Sequence, residues 1–147
     1  MCNCNYVIED VVFEKEVALD NVGKATTLKN VTINGTGDRY ALWITAEGQS
    51  VNIDNLTVKT KGRGIKIDEQ YVGAPAKVTL DIKNSTFKTD KKAAILVKSI
   101  AGADINVENI DITKVADDKV YAVWVDSDRA AYVDLVTVNG GQRRVEE

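Results

Sequence analysis

The carboxylates best placed for acid–base chemistry are Asp68 and Asp126, each of which ends a short run of alternating apolar residues. Lys66 and Lys98 fall between them in the same pattern. If these runs are stacked parallel strands, the two aspartates lie two strands apart, about 9.6 Å. That distance is near the upper end for the acid and base of an inverting glycosidase. The competing interpretation is a charged rim in which the lysines neutralise the aspartates.

Other residue types that bind metals carry weaker signals. The acidic segments 117–118 and 126–128 lack the regular oxygen-ligand spacing of a calcium loop, so solvated turns are expected there. Cys2 and Cys4 cannot complete a tetrahedral zinc site by themselves, and the sequence has no histidine. We expect no metal and no cofactor. For the two thiols, a terminal arm without function is the main interpretation, and a metal-ligand pair or an intermolecular disulfide is the alternative.

Two tryptophans define a candidate binding strip. Trp43 and Trp124 share one outward column with Leu96 and the aliphatic stem of Lys66. The column beside it holds only small residues: Ala41, Gly64, Ala94 and Ala122. We interpret the strip as a subunit or partner interface, because aromatic residues are enriched in interfaces. Sugar stacking, or a cover made by loops such as 68–77, are the alternatives.

The elements that must position these residues come from an internal repeat. The segments TLKNVTI, NIDNLTV, DIKNSTF and NVENIDI align with an asparagine in the same slot: Asn30, Asn55, Asn84 and Asn109. The spacings are 25, 29 and 25 residues, and YVDLVTV follows 26 residues later with Leu135 in the slot. A period of this size with β-branched residues around the asparagine indicates a solenoid.

Each repeat resolves into three short strands, and period two fixes their inward residues. The inward residues are Leu42/Ile44, Ile65/Ile67, Ile95/Val97 and Val123/Val125 in the first strand, Val51/Ile53, Leu80/Ile82 and Ile105/Val107 in the second, and Val31/Ile33, Leu56/Val58, Phe87, Ile110/Ile112 and Val136/Val138 in the third. The turn at the asparagine keeps a constant length. This predicts an internal asparagine ladder, hydrogen-bonded along the stack.

Outward columns support the same register. One column is rich in threonine (Thr32, Thr57, Thr86, Asp111 and Thr137), and another alternates in charge (Lys29, Asp54, Lys83 and Glu108). Opposite charges and threonine ladders on adjacent strands are favourable, each by a few tenths to about 1 kcal/mol. A chance alignment of the apolar residues would not also order the outer ones.

The asparagine turn, the three strands and the aliphatic columns resemble the right-handed parallel β-helix of the pectate-lyase-like superfamily. The resemblance covers residues 17–139. It implies an all-β, single-stranded parallel β-helix of about five rungs, with 1–16 as an N-terminal arm and start of a cap and 140–147 as a C-terminal tail. That superfamily includes polysaccharide lyases, glycosidases, adhesins and phage tailspikes, so the fold alone does not give an activity.

The superfamily's enzymes work on the outer face of the first strand and its loops. Their pattern of clustered aspartates, a histidine and an Arg-x-Lys is absent here, and Arg63 followed by Gly64-Ile65-Lys66 matches only a fragment. We therefore expect a protein that is not an enzyme. A polysaccharide lyase or glycosidase that uses Asp68 and Asp126 is kept as an alternative.

Bulk properties narrow the remaining classes. The 147-residue chain has a net charge of −3 and a pI near 5.1, which disfavours nucleic-acid binding. No apolar run reaches the roughly 18 residues of a membrane span, and the first residues lack the features of a signal peptide. We expect a non-catalytic phage virion component (a decoration, fibre or tail-associated subunit) that assembles in the host cytoplasm through protein contacts, including homo-oligomers such as a trimer. The alternative is an extracellular or cell-surface carbohydrate-binding module.

Overall fold

The protein is all-β in a computed structural model that describes residues 5–19, 25–45, 50–68, 78–89, 93–98, 103–114, 121–126, 137–139 and 143–146. The strands in these ranges are β1 (Tyr6–Phe13), β2 (Val17–Leu19), β3 (Ala25–Asn34), β4 (Tyr40–Thr45), β5 (Ser50–Lys59), β6 (Arg63–Asp68), β7 (Val78–Thr89), β8 (Ala93–Lys98), β9 (Ala103–Lys114), β10 (Tyr121–Asp126), β11 (Thr137–Asn139) and β12 (Arg143–Glu146). Only the backbone of the last three strands is described. The described part contains no helix long and apolar enough to cross a membrane.

The strands form two six-stranded sheets. Sheet 1 has the order β1-β3-β5-β7-β9-β11, and sheet 2 has the order β12-β10-β8-β6-β4-β2. Every adjacent pair is parallel. The chain thus passes from one sheet to the other and back, and each strand pairs with the strand two places along. Parallel sheets need apolar cover on at least their inner faces, which the alternating sequence provides.

The second and third strands predicted for each repeat are a single bent strand in the structure. In β3 and β5 the pairing runs through Lys29 and Asp54, omits the asparagine slot, and resumes at Val31 and Leu56. The bend comes from Asn30, whose φ of 53° is left-handed. Asparagine tolerates this conformation better than most residues because its short polar side chain bonds locally. The ladder survives on both sides of the bend, so the strand is continuous.

One cluster of buried side chains joins the two sheets. The predicted inward residues are buried wherever their side chains are described, except Ile110 and Ile112, which are partly buried and pack against the cluster. Phe87 fills the position that is Ile33 and Val58 in the preceding repeats, and its exposure is 0%. Ser85 and Thr26 are buried polar residues in these columns, with exposures of 1% and 0%.

The sheets extend beyond the predicted boundaries, and the last repeat has a different register. Strand β1 lies in the segment assigned to the arm and cap, and β12 lies in the segment assigned to the tail. Val138 pairs with Ile105, whereas the repeat alignment set it beside Ile112. That alignment relied on Leu135 in the asparagine slot, and leucine carries none of the turn preference that fixes the other slots. Leu135 and Val136 lie outside the described residues.

Candidate functional site

The strand register brings the predicted strip together. Along the outward column of sheet 2, paired positions are Ala18, Trp43, Lys66, Leu96, Trp124 and Arg144. The two tryptophans are therefore separated by Lys66 and Leu96 along one column. The side chain of Trp124 is outside the described set, so side-chain contacts are known only for the N-terminal half of the column.

The strip is not a continuous exposed apolar surface. Trp43 is 37% exposed, but Leu96 is 6% exposed and Ala41 and Ala94 are fully buried. Gly64 is buried as well, and a Cβ added to it would overlap the backbone carbonyl of Ala94. The small residues are thus needed where neighbouring strands approach closely. They do not make the flat surface that the sequence suggested. The side chain of Ala122 is not described.

What the structure adds is a cavity beside Trp43. It measures about 480 Å³ and is lined by residues of β2, β4, β6 and the turn before β4: Glu16, Val17, Ala18, Asp38, Arg39, Tyr40, Trp43, Arg63 and Lys66. Two aromatic rings and three cationic side chains meet in it. Sequence reasoning missed Tyr40 and Arg63, although both begin the strands that carry Trp43 and Lys66.

Cations stack on both aromatic rings of this cavity. Lys66 Nζ lies 4.4 Å from the centroid of the Trp43 ring and 5.9 Å from that of Tyr40. Arg63 Cζ lies 5.2 Å from the Tyr40 centroid. Lys66 Nζ also forms an ion pair of 2.7 Å with Asp68 Oδ2. Together, these contacts hold the Trp43 surface in a defined position, which lowers the entropy cost of binding a partner there.

Arg63 joins the start of β6 to the turn before β4. Its backbone N–H donates to the Arg39 carbonyl at 3.0 Å. Its side-chain Nε is buried and has no hydrogen-bond partner among the described residues. A buried N–H without a partner is costly, and because this atom has almost no accessible surface, it does not serve a ligand in the cavity.

Glu16 fixes the turn that forms one wall of the cavity. Its Oε1 accepts hydrogen bonds from the backbone N–H groups of Thr36, at 2.9 Å, and Gly37, at 2.6 Å. The Gly37 amide is the largest cause of a lowered pKa for the Glu16 carboxyl, to which other backbone amides and the charge of Arg39 add. The ionised carboxylate therefore stabilises the turn, and with it the position of Arg39.

The asparagine ladder lies on the surface and not inside the protein. Asn30, Asn55, Asn84 and Asn109 are exposed, and their φ angles of 51–59° are all left-handed. The charged residue before each asparagine faces outward. Because of the left-handed conformation the asparagine side chain also faces solvent, and the residue after it faces inward. The sequence predicts the turn at this slot and the hydrogen bonds along the stack, but the prediction that the ladder lies inside the coil is wrong, because the asparagines are exposed.

The ladder contacts run in one direction along sheet 1. Asn55 Nδ2 donates to Asn30 Oδ1 at 2.9 Å, and Asn30 Nδ2 donates to Asp10 Oδ1 at 2.9 Å. Asn109 Nδ2 likewise donates to Asn84 Oδ1 at 2.8 Å. Asp10 occupies the same slot with a φ of 55°. The repeat alignment missed it because an aspartate stands in place of the asparagine.

A second, larger hollow lies on the outer face of sheet 1. It measures about 780 Å³, and its walls are the columns Thr27/Asn52/Asp81/Asn106 and Lys29/Asp54/Lys83/Glu108 with parts of the strands between them. Several of its polar groups bond to one another: Asn106 Nδ2 donates to Asp81 Oδ1 at 2.7 Å, and Lys83 Nζ lies 3.6 Å from Asp54 Oδ2. It has no aromatic side chain among its walls, so the Trp43 cavity is the better candidate site.

The candidate catalytic aspartates share one column. Strand pairing sets Lys98 between Asp68 and Asp126, as the sequence predicts. Asp68 is bound to Lys66, and the side chain of Asp126 is not described. Where side chains are described, no group of three or more metal-ligating residues occurs. The segment 117–118, Asp128 and both cysteines lie outside the described residues.

No protein-family model, curated protein or solved structure matches this chain.

Proposed function

We propose that the chain folds as a right-handed, single-stranded parallel β-helix of about five rungs. The alternation between two parallel sheets supports this, because a chain that returns to the same sheet beside its previous strand completes one turn of a coil. Such parallel returns are right-handed in almost all proteins. A bend at each asparagine that divided sheet 1 into two faces would complete the three-sided cross-section expected for the pectate-lyase-like proteins that the sequence resembles.

The function we propose for this β-helix is non-catalytic: a structural subunit that acts through protein–protein contacts and forms a homo-oligomer. The observation that carries the proposal is the exposed Trp43 beside the cavity, held in place by Lys66. An aromatic side chain fixed on the surface of a stacked-strand body, with cationic residues around it, has the composition of an interface hot spot. A virion, as a decoration, fibre or tail-associated subunit, is the setting we favour, and a trimer is the specific oligomer expected.

Light scattering coupled to size exclusion tests this proposal. We expect the wild-type mass to be three times the chain mass of 16.1 kDa, and Trp43→Ser to reduce it to the monomer. Val12→Ser, which changes another exposed apolar residue that does not line the cavity, is the matched control and should leave the mass unchanged. A wild-type monomer at about 100 µM would refute the homo-oligomer, because stable self-association of structural subunits has dissociation constants well below that value.

A carbohydrate-binding module is the second candidate function. The observation that favours it is the combination of the Trp43 and Tyr40 rings with three cationic side chains around one cavity, because sugar-binding sites join an aromatic platform to a few hydrogen-bond donors. A glycan array probed with the wild type and with Trp43→Ser distinguishes the two functions. Binding to a glycan that the variant loses supports the module, and an array without hits supports the structural subunit. An extracellular or cell-surface location would accompany the module.

A further inference from the structure

Strand β1 offers an open edge at one end of sheet 1. Among the described residues only β3 pairs with it, so one side of its eight-residue backbone has N–H and C=O groups available for another strand. Proteins commonly protect such edges by making the strand short or by placing lysine or proline on it. The end strand β2 of sheet 2 has only three residues. Strand β1 is longer and contains neither lysine nor proline.

The outward side chains of β1 are apolar where the inner strands are polar. Val7 is 67% exposed and Val12 is 59% exposed, more than any other large apolar residue that is described. The residues in register with Val7 on the inner strands are Thr27, Asn52 and Asp81, and those in register with Val12 are Thr32, Thr57 and Thr86. Single exposed valines are common. Two on one open edge make a surface that a neighbouring strand would cover.

The column of alternating charges ends at β1, where Glu9 has a residue of opposite charge on one side only. Glu9 pairs in register with Lys29, and the column continues through Asp54, Lys83 and Glu108 with alternating sign. Lys29, Asp54 and Lys83 each have a residue of opposite charge on both neighbouring strands. Glu9 has one only on the β3 side, so a strand added to the open edge would be favoured if it placed a cation there.

The asparagine ladder ends at β1 with an acceptor. Asn55 donates to Asn30, and Asn30 donates to Asp10, so at this end of the ladder each slot receives an N–H from the following repeat. Asp10 has no amide to donate in turn, and its carboxylate can accept more than one hydrogen bond. A residue in the next slot would therefore need a donor such as an asparagine amide.

We propose that the open edge of β1 binds a parallel β-strand of another protein, which places a lysine or arginine beside Glu9, an N–H donor beside Asp10 and apolar groups beside Val7 and Val12. A second copy of this chain is a poor occupant. The opposite edge of sheet 1 is β11, which has three residues, Thr-Val-Asn, and would leave most of β1 uncovered and Glu9 without a cation.

A peptide with the sequence of residues 26–34, TTLKNVTIN, is the probe. This segment is the natural neighbour of β1 on its other side, and it carries Lys29 and Asn30 in the required order. In the same register the apolar groups that it offers to Val7 and Val12 are the methyl groups of Thr27 and Thr32. Binding of the fluorescein-labelled peptide to the full chain is measured by fluorescence anisotropy. We expect saturable binding, and we expect Glu9→Lys to weaken it about five- to tenfold, as reversal of one cross-strand charge pair predicts.

A charge swap separates binding at this edge from loss of folding. A peptide in which the lysine is replaced by glutamate should bind the wild type weakly and Glu9→Lys tightly, while the far-UV circular dichroism of both proteins stays the same. Absence of saturable binding at about 1 mM peptide, or failure of the swapped pair to restore affinity, overturns the proposal.

Light scattering distinguishes this inference from the proposed oligomer. Glu9→Lys should leave the mass of the wild-type oligomer unchanged, whereas Trp43→Ser should reduce it. If Glu9→Lys instead dissociates the oligomer, a second copy occupies the edge and the heterologous strand is refuted. If the chain is a monomer and still binds the peptide, the edge proposal stands and the homo-oligomer is refuted.

Discussion

The hydroxyl of Thr26 gives the most direct test of the packing. Thr26 is fully buried, and its Oγ1 has no hydrogen-bond partner among the described residues. Toward β5 its inward column is apolar, namely Val51, Leu80 and Ile105, and on the β1 side it pairs with Tyr6. A hydroxyl buried without a partner costs about 1–3 kcal/mol relative to water. Threonine therefore weakens a column in which valine has the same shape.

Thr26→Val should increase the free energy of unfolding by about 1–2 kcal/mol, because it removes this cost, adds a buried methyl group and keeps the side-chain branching. For a chain of this length the melting temperature should rise by about 3–6 °C. Thr27→Val is the matched control. It lies one residue along the same strand, points outward and is half-buried, so we expect a change within about 0.5 kcal/mol.

Urea denaturation followed by circular dichroism measures both variants. If Thr26→Val is no more stable than the wild type, the hydroxyl has a hydrogen-bond partner, and the assignment of an unpaired buried group is wrong. An equal gain in Thr27→Val would show that strand propensity alone causes the effect.

Three further changes test the turns and the close strand contacts. Gly64→Ala should lower the free energy of unfolding by about 2–4 kcal/mol in urea titrations, since its Cβ overlaps backbone, whereas Gly37→Ala meets only the flexible Glu16 side chain and should cost under about 1 kcal/mol. Ser85→Ala should cost about 1–2 kcal/mol by the same measurement because the Leu56 N–H loses its acceptor. Glu16→Gln should destabilise the protein near pH 7, and the difference from the wild type should disappear as the pH falls below about 4.5, because the lowered pKa of Glu16 stabilises the fold only while that carboxyl is ionised.

The sequence could predict the register because every column repeats its own chemistry. The alternating charges of Lys29, Asp54, Lys83 and Glu108 are paired in the structure in that order. Those residues face outward, so the residue before each of them had to face the core. Two independent patterns, apolar inside and charged outside, gave the same alignment, and the buried residues agree with it.

The depth of each outward residue could not be predicted in this way. Leu96 has the outward position of Trp43 two strands away, yet it is 6% exposed while Trp43 is 37% exposed. The alternation of apolar and polar residues along a strand predicts on which face of the sheet a side chain lies, but it does not predict which other residues cover that side chain. The cavity depends on Tyr40 and Arg63, which begin two neighbouring strands, and on a turn held by Glu16. Such contacts between loops and strand ends have no sequence period.

The ladder shows how one irregular spacing is accommodated. Between Asn55 and Asn84 the repeat is 29 residues instead of 25, and here the ladder contact changes: Asn84 Nδ2 donates to Asp54 Oδ1 at 3.0 Å. At the same step Ser85 Oγ accepts from the Leu56 N–H at 3.1 Å and donates to the Lys83 carbonyl at 2.8 Å.

The serine that interrupts an apolar column is therefore a substitute for a ladder contact. Its hydroxyl accepts a hydrogen bond from the Leu56 N–H at the step where Asn84 donates to Asp54 and not to the preceding ladder asparagine. Valine, leucine or isoleucine in this position, as in the other repeats, would add apolar burial but leave that N–H without an acceptor, at a cost of about 1–3 kcal/mol. Relative to serine, valine adds two carbons and leucine or isoleucine adds three, and burial of each returns about 0.8 kcal/mol, so the two effects are close to balance.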